Sequence, residues 1–121
     1  MPKTILVVDD EPDMLKICQY RLKKTSYNID TAIDGQDALN KIKANNYDLI
    51  LLDLRLPLID GYEVCRILKQ DEKYKNLPII IMTAFVMQQP QDMIKEMQVS
   101  DVFIKPMDMA KLLERIQQIL N

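Results

Sequence analysis

DLILLDLRLPLIDGYE, residues 48–63, carries after Asp48 four consecutive apolar residues, Leu49, Ile50, Leu51 and Leu52, that stop at the carboxylate of Asp53. An unbroken apolar run with no alternation suits a strand covered on both faces, not one half-exposed to water. After it, Asp60-Gly61 reads as a turn, and 62–70 repeats apolar residues at helical spacing. The same unit recurs in both directions. Runs rich in Ile, Leu and Val lie at 4–8, 27–32, 49–52, 79–82 and 102–104. Amphipathic stretches follow them at 12–24, 36–44, 62–70, 91–97 and 109–120. Five strands alternating with five helices imply a parallel sheet with helices on both faces.

The second run is the most polar, which places it at an edge. For an open sheet of this size the expectation is a flavodoxin-like, doubly wound (βα)5 domain with strand order 2-1-3-4-5. Residues 1–121 are expected to form one such domain, with no output domain in this chain. Composition agrees: 121 residues, 48% hydrophobic, 28% charged and a net charge of −2 suit one globular unit. They give no basis for bulk electrostatic binding to nucleic acid or membrane. The longest apolar runs are too short to span a bilayer, and no signal peptide opens the chain, so the expected location is the cytoplasm. Histidine is absent, which excludes His-based catalysis and His metal ligands. Cys18 and Cys65 lack CxxC spacing and lie in helical stretches, as packed, reduced thiols would.

In such sheets, ligands bind beyond the carboxyl ends of the strands. The first strand ends at Asp9-Asp10-Glu11, the third at Asp53, the fourth at Thr83-Ala84 and the fifth at Lys105-Pro106. Carboxylates, a hydroxyl and an amine therefore converge on one edge. Crowded carboxylates attract a hard divalent cation with oxygen ligands. A carboxylate can also attack phosphorus to give an aspartyl phosphate, with the cation and an ammonium neutralising the transferred group. Simpler readings stand beside these. Asp9-Asp10-Glu11 before Pro12 would also serve as an acidic helix start, and Asp53 as a loop carboxylate.

Taken together, ILVVDDE at 5–11, DGQDAL at 34–39, the stretch at 48–63, PIIIMTA at 78–84 and FIKP at 103–106 resemble the receiver domains of bacterial response regulators. The similarity runs over essentially the whole chain and is to single-domain members such as chemotaxis and sporulation phosphorelay regulators. It implies that Asp53 is the phosphoacceptor, supplied by a histidine kinase or a histidine phosphotransfer protein. It implies Mg²⁺, or Mn²⁺ in its place, held by Asp9, Asp10, Asp53 and the backbone carbonyl of Arg55. Thr83 becomes the switch hydroxyl, Lys105 the phosphoryl-contacting lysine, and Lys105–Pro106 a candidate cis bond. Phosphorylation would alter binding of a downstream target through the fourth helix, fifth strand and fifth helix. The chain is expected to be a monomer that can dimerise on phosphorylation. Met14 and Ile17, partly off the core face of the first helix, lie where the family docks its phosphodonor.

Several positions depart from the family pattern. Arg55 and Phe85 occupy the two positions that tune loss of the phosphoryl group, and their bulk implies slow hydrolysis. Val102 stands where the family carries Tyr or Phe, with Phe103 one residue later on the opposite strand face. Gln98-Val99 replaces a usual small-residue pair. Val102 keeps open the alternative of a receiver-like interaction module not regulated by phosphorylation. Two enzyme-like alternatives fit less well. A haloacid-dehalogenase type needs an aspartate where Arg55 stands, and a nucleotide or flavin binder needs a phosphate loop after the first strand.

Overall fold

The computed structural model describes residues 2–84, 86 and 88–121. Its elements run β1 (Thr4–Val8), α1 (Pro12–Lys23), β2 (Asn28–Ala32), α2 (Gly35–Ala44), β3 (Leu49–Asp53), α3 (Gly61–Gln70), β4 (Ile79–Thr83), α4 (Pro90–Met97), β5 (Asp101–Ile104) and α5 (Met109–Leu120). All strand pairs are parallel, in the order β2-β1-β3-β4-β5. This is the flavodoxin-like arrangement expected, with the polar second strand at the edge. β3 and β4 are buried along their whole length, because helices cover both of their faces.

Strand alternation divides the core into two layers. Leu6, Val8, Ile50, Leu52, Ile79 and Ile81 face α2, α3 and α4. Ile5, Val7, Leu49, Leu51, Ile80 and Met82 face α1 and α5, meeting Leu15, Cys18, Leu22, Leu112 and Ile116. Both cysteines are buried and free.

Element boundaries differ from the sequence reading by about one residue, each time for a local reason. β3 and β4 each continue one residue further, so Asp53 and Thr83 belong to the ladder itself. Tyr27 packs against the α1/α5 layer instead of opening β2. Asp34 and Asp60, expected within turns, are helix caps that accept hydrogen bonds from the Asp37 and Glu63 N–H groups. Their glycines are the first helical residues, and neither has positive φ. What demands glycine is contact. A Cβ on Gly61 would stand 2.2 Å from the Asp53 carbonyl oxygen, and one on Gly35 would stand 1.8 Å from that of Ile59. Positive φ falls instead on Leu58 (69°) and Gln98 (58°). Gln98 caps α4 in the left-handed conformation and its N–H bonds the Ile94 carbonyl, which accounts for the polar residue there in structural terms.

Candidate functional site

The carboxyl edge of the sheet brings Asp9, Asp10, Glu11 and Asp53 close enough that one carboxylate oxygen from each lies within 4.8 Å of the others. Asp9 continues β1 by donating its N–H to the Ala32 carbonyl at 3.1 Å, and its side chain is fully buried. Its Oδ1 accepts the Glu11 N–H at 3.0 Å. Asp53, only 4% exposed, accepts the Arg55 N–H at 3.2 Å. Asp10 and Glu11 lie open at the mouth.

Lys105 ties the acids together. Its N–H bonds the Thr83 carbonyl at 2.7 Å, and its own peptide bond to Pro106 is cis. Its ammonium lies 2.7 Å from Asp9 Oδ2, 2.9 Å from Asp53 Oδ2 and 3.6 Å from Glu11 Oε1. Burial alone would lower the Lys105 pKa, but the hydrogen bonds its ammonium donates to Asp9 and Asp53 outweigh it and the net shift is upward. Burial also raises the Asp53 carboxyl, against the opposing pull of Lys105 and the Arg55 N–H. Four carboxylates against one ammonium leave a formal surplus of three negative charges. That surplus and an all-oxygen donor set are what a small, hard divalent cation requires.

Thr83 is 1% exposed at the end of β4, in register with Ile104, one residue before the lysine. Val102 is buried in the α2–α4 layer, whereas Phe103 packs in the opposite layer, so the aromatic does not substitute for its neighbour. Met14 is half-buried against the α1/α5 layer, while Ile17 is 48% exposed, so of these two Ile17 presents the freer apolar surface on α1. The Arg55 side chain is exposed; Phe85 lies outside the described residues. Glu11 joins the acidic group although the sequence reading assigned it no ligand role. Its place beside Asp9 and Asp10 was the available signal.

A buried lysine held between acids at the carboxyl edge of a 2-1-3-4-5 sheet is the site of a receiver domain. The chain belongs to that family, since the model for the response regulator receiver domain matches residues 5–117. Among curated relatives, response regulator ArlR of Staphylococcus aureus is 40% identical over 117 residues, covering 97% of this chain and 52% of that protein. The chain thus spans about half the length of the curated relatives it matches. Among solved structures, response regulator TrrA of Thermotoga maritima, in complex with Mg(2+)-BeF, is 35% identical with a TM-score of 0.85, covering 98% of this chain and 99% of that one. Chemotaxis protein CheY4 of Vibrio cholerae is 26% identical with a TM-score of 0.88, covering 99% and 100%. No described helix is long and apolar enough to cross a membrane.

Proposed function

We propose that the chain is a phosphorylation-dependent switch of a two-component system or phosphorelay, taking a phosphoryl group on Asp53 from a histidine kinase or histidine phosphotransfer protein. Residues 1–121 act as one receiver unit, in the cytoplasm, as a signalling protein and not a metabolic enzyme. The observation that carries this is the Lys105 ammonium set 2.9 Å from Asp53 Oδ2 inside an otherwise acidic site. An isolated structural carboxylate needs no such arrangement, but an acceptor for a dianionic phosphoryl group does.

Mg²⁺, or Mn²⁺, would be held by Asp9, Asp10, Asp53 and the Arg55 carbonyl, and the Mg(2+)-BeF complex of the Thermotoga relative supports that reading. When bound, the cation supplies positive charge for the phosphoryl oxygens. The protein's own residues do the rest. An Asp53 carboxylate oxygen attacks phosphorus in line; the P–N bond of the phosphohistidine breaks, and its electron pair stays on the imidazole, which takes up a proton. The Lys105 ammonium leaves the Asp53 oxygen for the incoming phosphoryl oxygens. The Thr83 hydroxyl donates to another of them, and that movement carries the signal. With Val102 already packed inward, the signal passes through the backbone after Thr83 toward α4 and not through an aromatic ring. The readout surface is α4, β5 and α5, braced by Arg115 Nε to Asp101 Oδ2 at 3.0 Å. There a downstream protein binds, or a second phosphorylated copy. Arg55 and Phe85 shield the acyl phosphate and slow its hydrolysis by this chain.

Incubation with phosphoramidate and Mg²⁺ should give an adduct lost in alkali and cleaved by hydroxylamine, as an acyl phosphate is. A hydroxylamine-stable adduct would place the phosphate on a hydroxyl and refute the assignment.

A further inference from the structure

Leu58 combines two unfavourable features in one residue. Its backbone lies in the left-handed region, at φ 69°, where glycine or asparagine fits and a branched side chain does not. Its side chain is also 81% exposed, more than any other large apolar side chain among the described residues. The fold accounts for the backbone. Leu56 and Ile59 turn inward against the α2–α4 layer, the Gly61 N–H bonds the Leu54 carbonyl at 2.9 Å, and the Ile59 carbonyl abuts Gly35. The loop is fixed on both sides of position 58. Nothing in the fold accounts for leucine there, since asparagine would relieve the backbone and suit water better.

The position of the loop suggests what the side chain meets. It runs from Asp53 to the start of α3, on the carboxyl edge through which the recessed acceptor is reached. A macromolecule bringing a phosphoryl group to Asp53 must cover this edge, where Ile33, 59% exposed after β2, adds further apolar surface. A small phosphodonor need not touch it. We infer that Leu58 is an apolar anchor for the protein that phosphorylates Asp53, and helps set which phosphodonor protein the chain accepts. This rests on the acceptor role proposed above. A residue strained at its backbone and exposed beside a reacting group is where stability has been given up for contact.

The test compares Leu58→Asn and Leu58→Met with wild type, using phosphoramidate as the small donor. The protein donor is a phosphorylated histidine-kinase core chosen from a panel because it phosphorylates wild type. Leu58→Asn is expected to melt at a higher temperature and to react with phosphoramidate at the wild-type rate. Its second-order rate of transfer from the kinase core should fall at least about tenfold, the scale of losing one buried leucine contact. Leu58→Met, which keeps an apolar side chain, should stay within about twofold of wild type in that transfer. Wild-type transfer from the kinase core to Leu58→Asn would overturn the inference. So would an equal loss with phosphoramidate, which would place the effect in the site itself. A wild-type chain that accepts phosphate neither from phosphoramidate nor from any kinase core in the panel would instead overturn the acceptor reading, and this inference with it.

Discussion

Replacing Lys105 by methionine keeps the aliphatic stem and removes only the ammonium. Two charge-assisted hydrogen bonds, at 2.7 Å to Asp9 and 2.9 Å to Asp53, disappear, and both acceptors are buried. Removing one partner of a buried ion pair costs about 3–5 kcal/mol, mostly from the charge left behind. The lower end applies here, because burial already raises the Asp53 pKa and so eases its taking up a proton once the ammonium is gone. A loss of about 3 kcal/mol in a domain of this size lowers Tm by about 10 °C. The pH dependence follows from the direction of the shifts. Without the ammonium, which opposes the upward shift, the folded-state pKa of Asp53 rises further. A carboxyl with a raised folded-state pKa gives stability that is present at low pH and lost as pH rises. The deficit of Lys105→Met against wild type should therefore shrink as pH falls from about 7.5 toward about 5. Differential scanning calorimetry across that range measures it. An equal deficit at both ends, or none at neutral pH, would refute the reasoning that the lysine is held by charge and not by packing.

Other outcomes follow from the same geometry. Gly61→Ala would set a Cβ 2.2 Å from the Asp53 carbonyl oxygen and 2.6 Å from the Leu54 Cα, both backbone atoms that cannot rotate aside. It should destabilise by about 3 kcal/mol in thermal or urea melts and slow phosphorylation by moving the acceptor strand end. Burial first and Asp9 second push the Cys18 thiol up from 9.0 to about 11. Iodoacetamide at pH 8 should thus label it at least about a hundredfold more slowly in folded than in unfolded chain, as peptide mapping would show. By linkage, that thiol's contribution to stability should fade as pH rises from 9.0 toward about 11. Replacing Arg55 and Phe85 together with small polar residues should speed loss of the phosphoryl group, followed by mass spectrometry over time; unchanged or slower decay would count against a shielding role.

The sheet was legible because β3 and β4 are apolar from end to end, and only a doubly covered strand is composed that way. Chain order and the rule of binding at the carboxyl edge then brought Asp9, Asp53 and Lys105 together across separations of 44 to 96 residues. Other features depend on contacts that pattern does not encode. Gly35 and Gly61 resemble turn residues in the sequence, yet each is required by a carbonyl arriving from another loop. The left-handed backbone of Leu58 is imposed by its inward-turned neighbours, and no residue type at 58 announces it. Met14 and Ile17 share a helix and a hydropathy class, but Met14 packs against the α1/α5 layer and Ile17 is left 48% exposed. Glu11 reaches the acidic group only because the turn after Asp9 folds back, with the Glu11 N–H on Asp9 Oδ1.

The central claim is that Asp53 accepts a phosphoryl group with the help of a divalent cation. Intact-mass spectrometry after incubation with acetyl phosphate and Mg²⁺ tests it, with Asp53→Asn and an EDTA-treated sample alongside and a phosphorylated histidine kinase as second donor. The account predicts one phosphoryl adduct on the wild-type chain, none on Asp53→Asn and none in EDTA. An adduct that persists on Asp53→Asn, or no adduct from either donor while Mg²⁺ still binds, would contradict it and leave a receiver-like interaction module in its place.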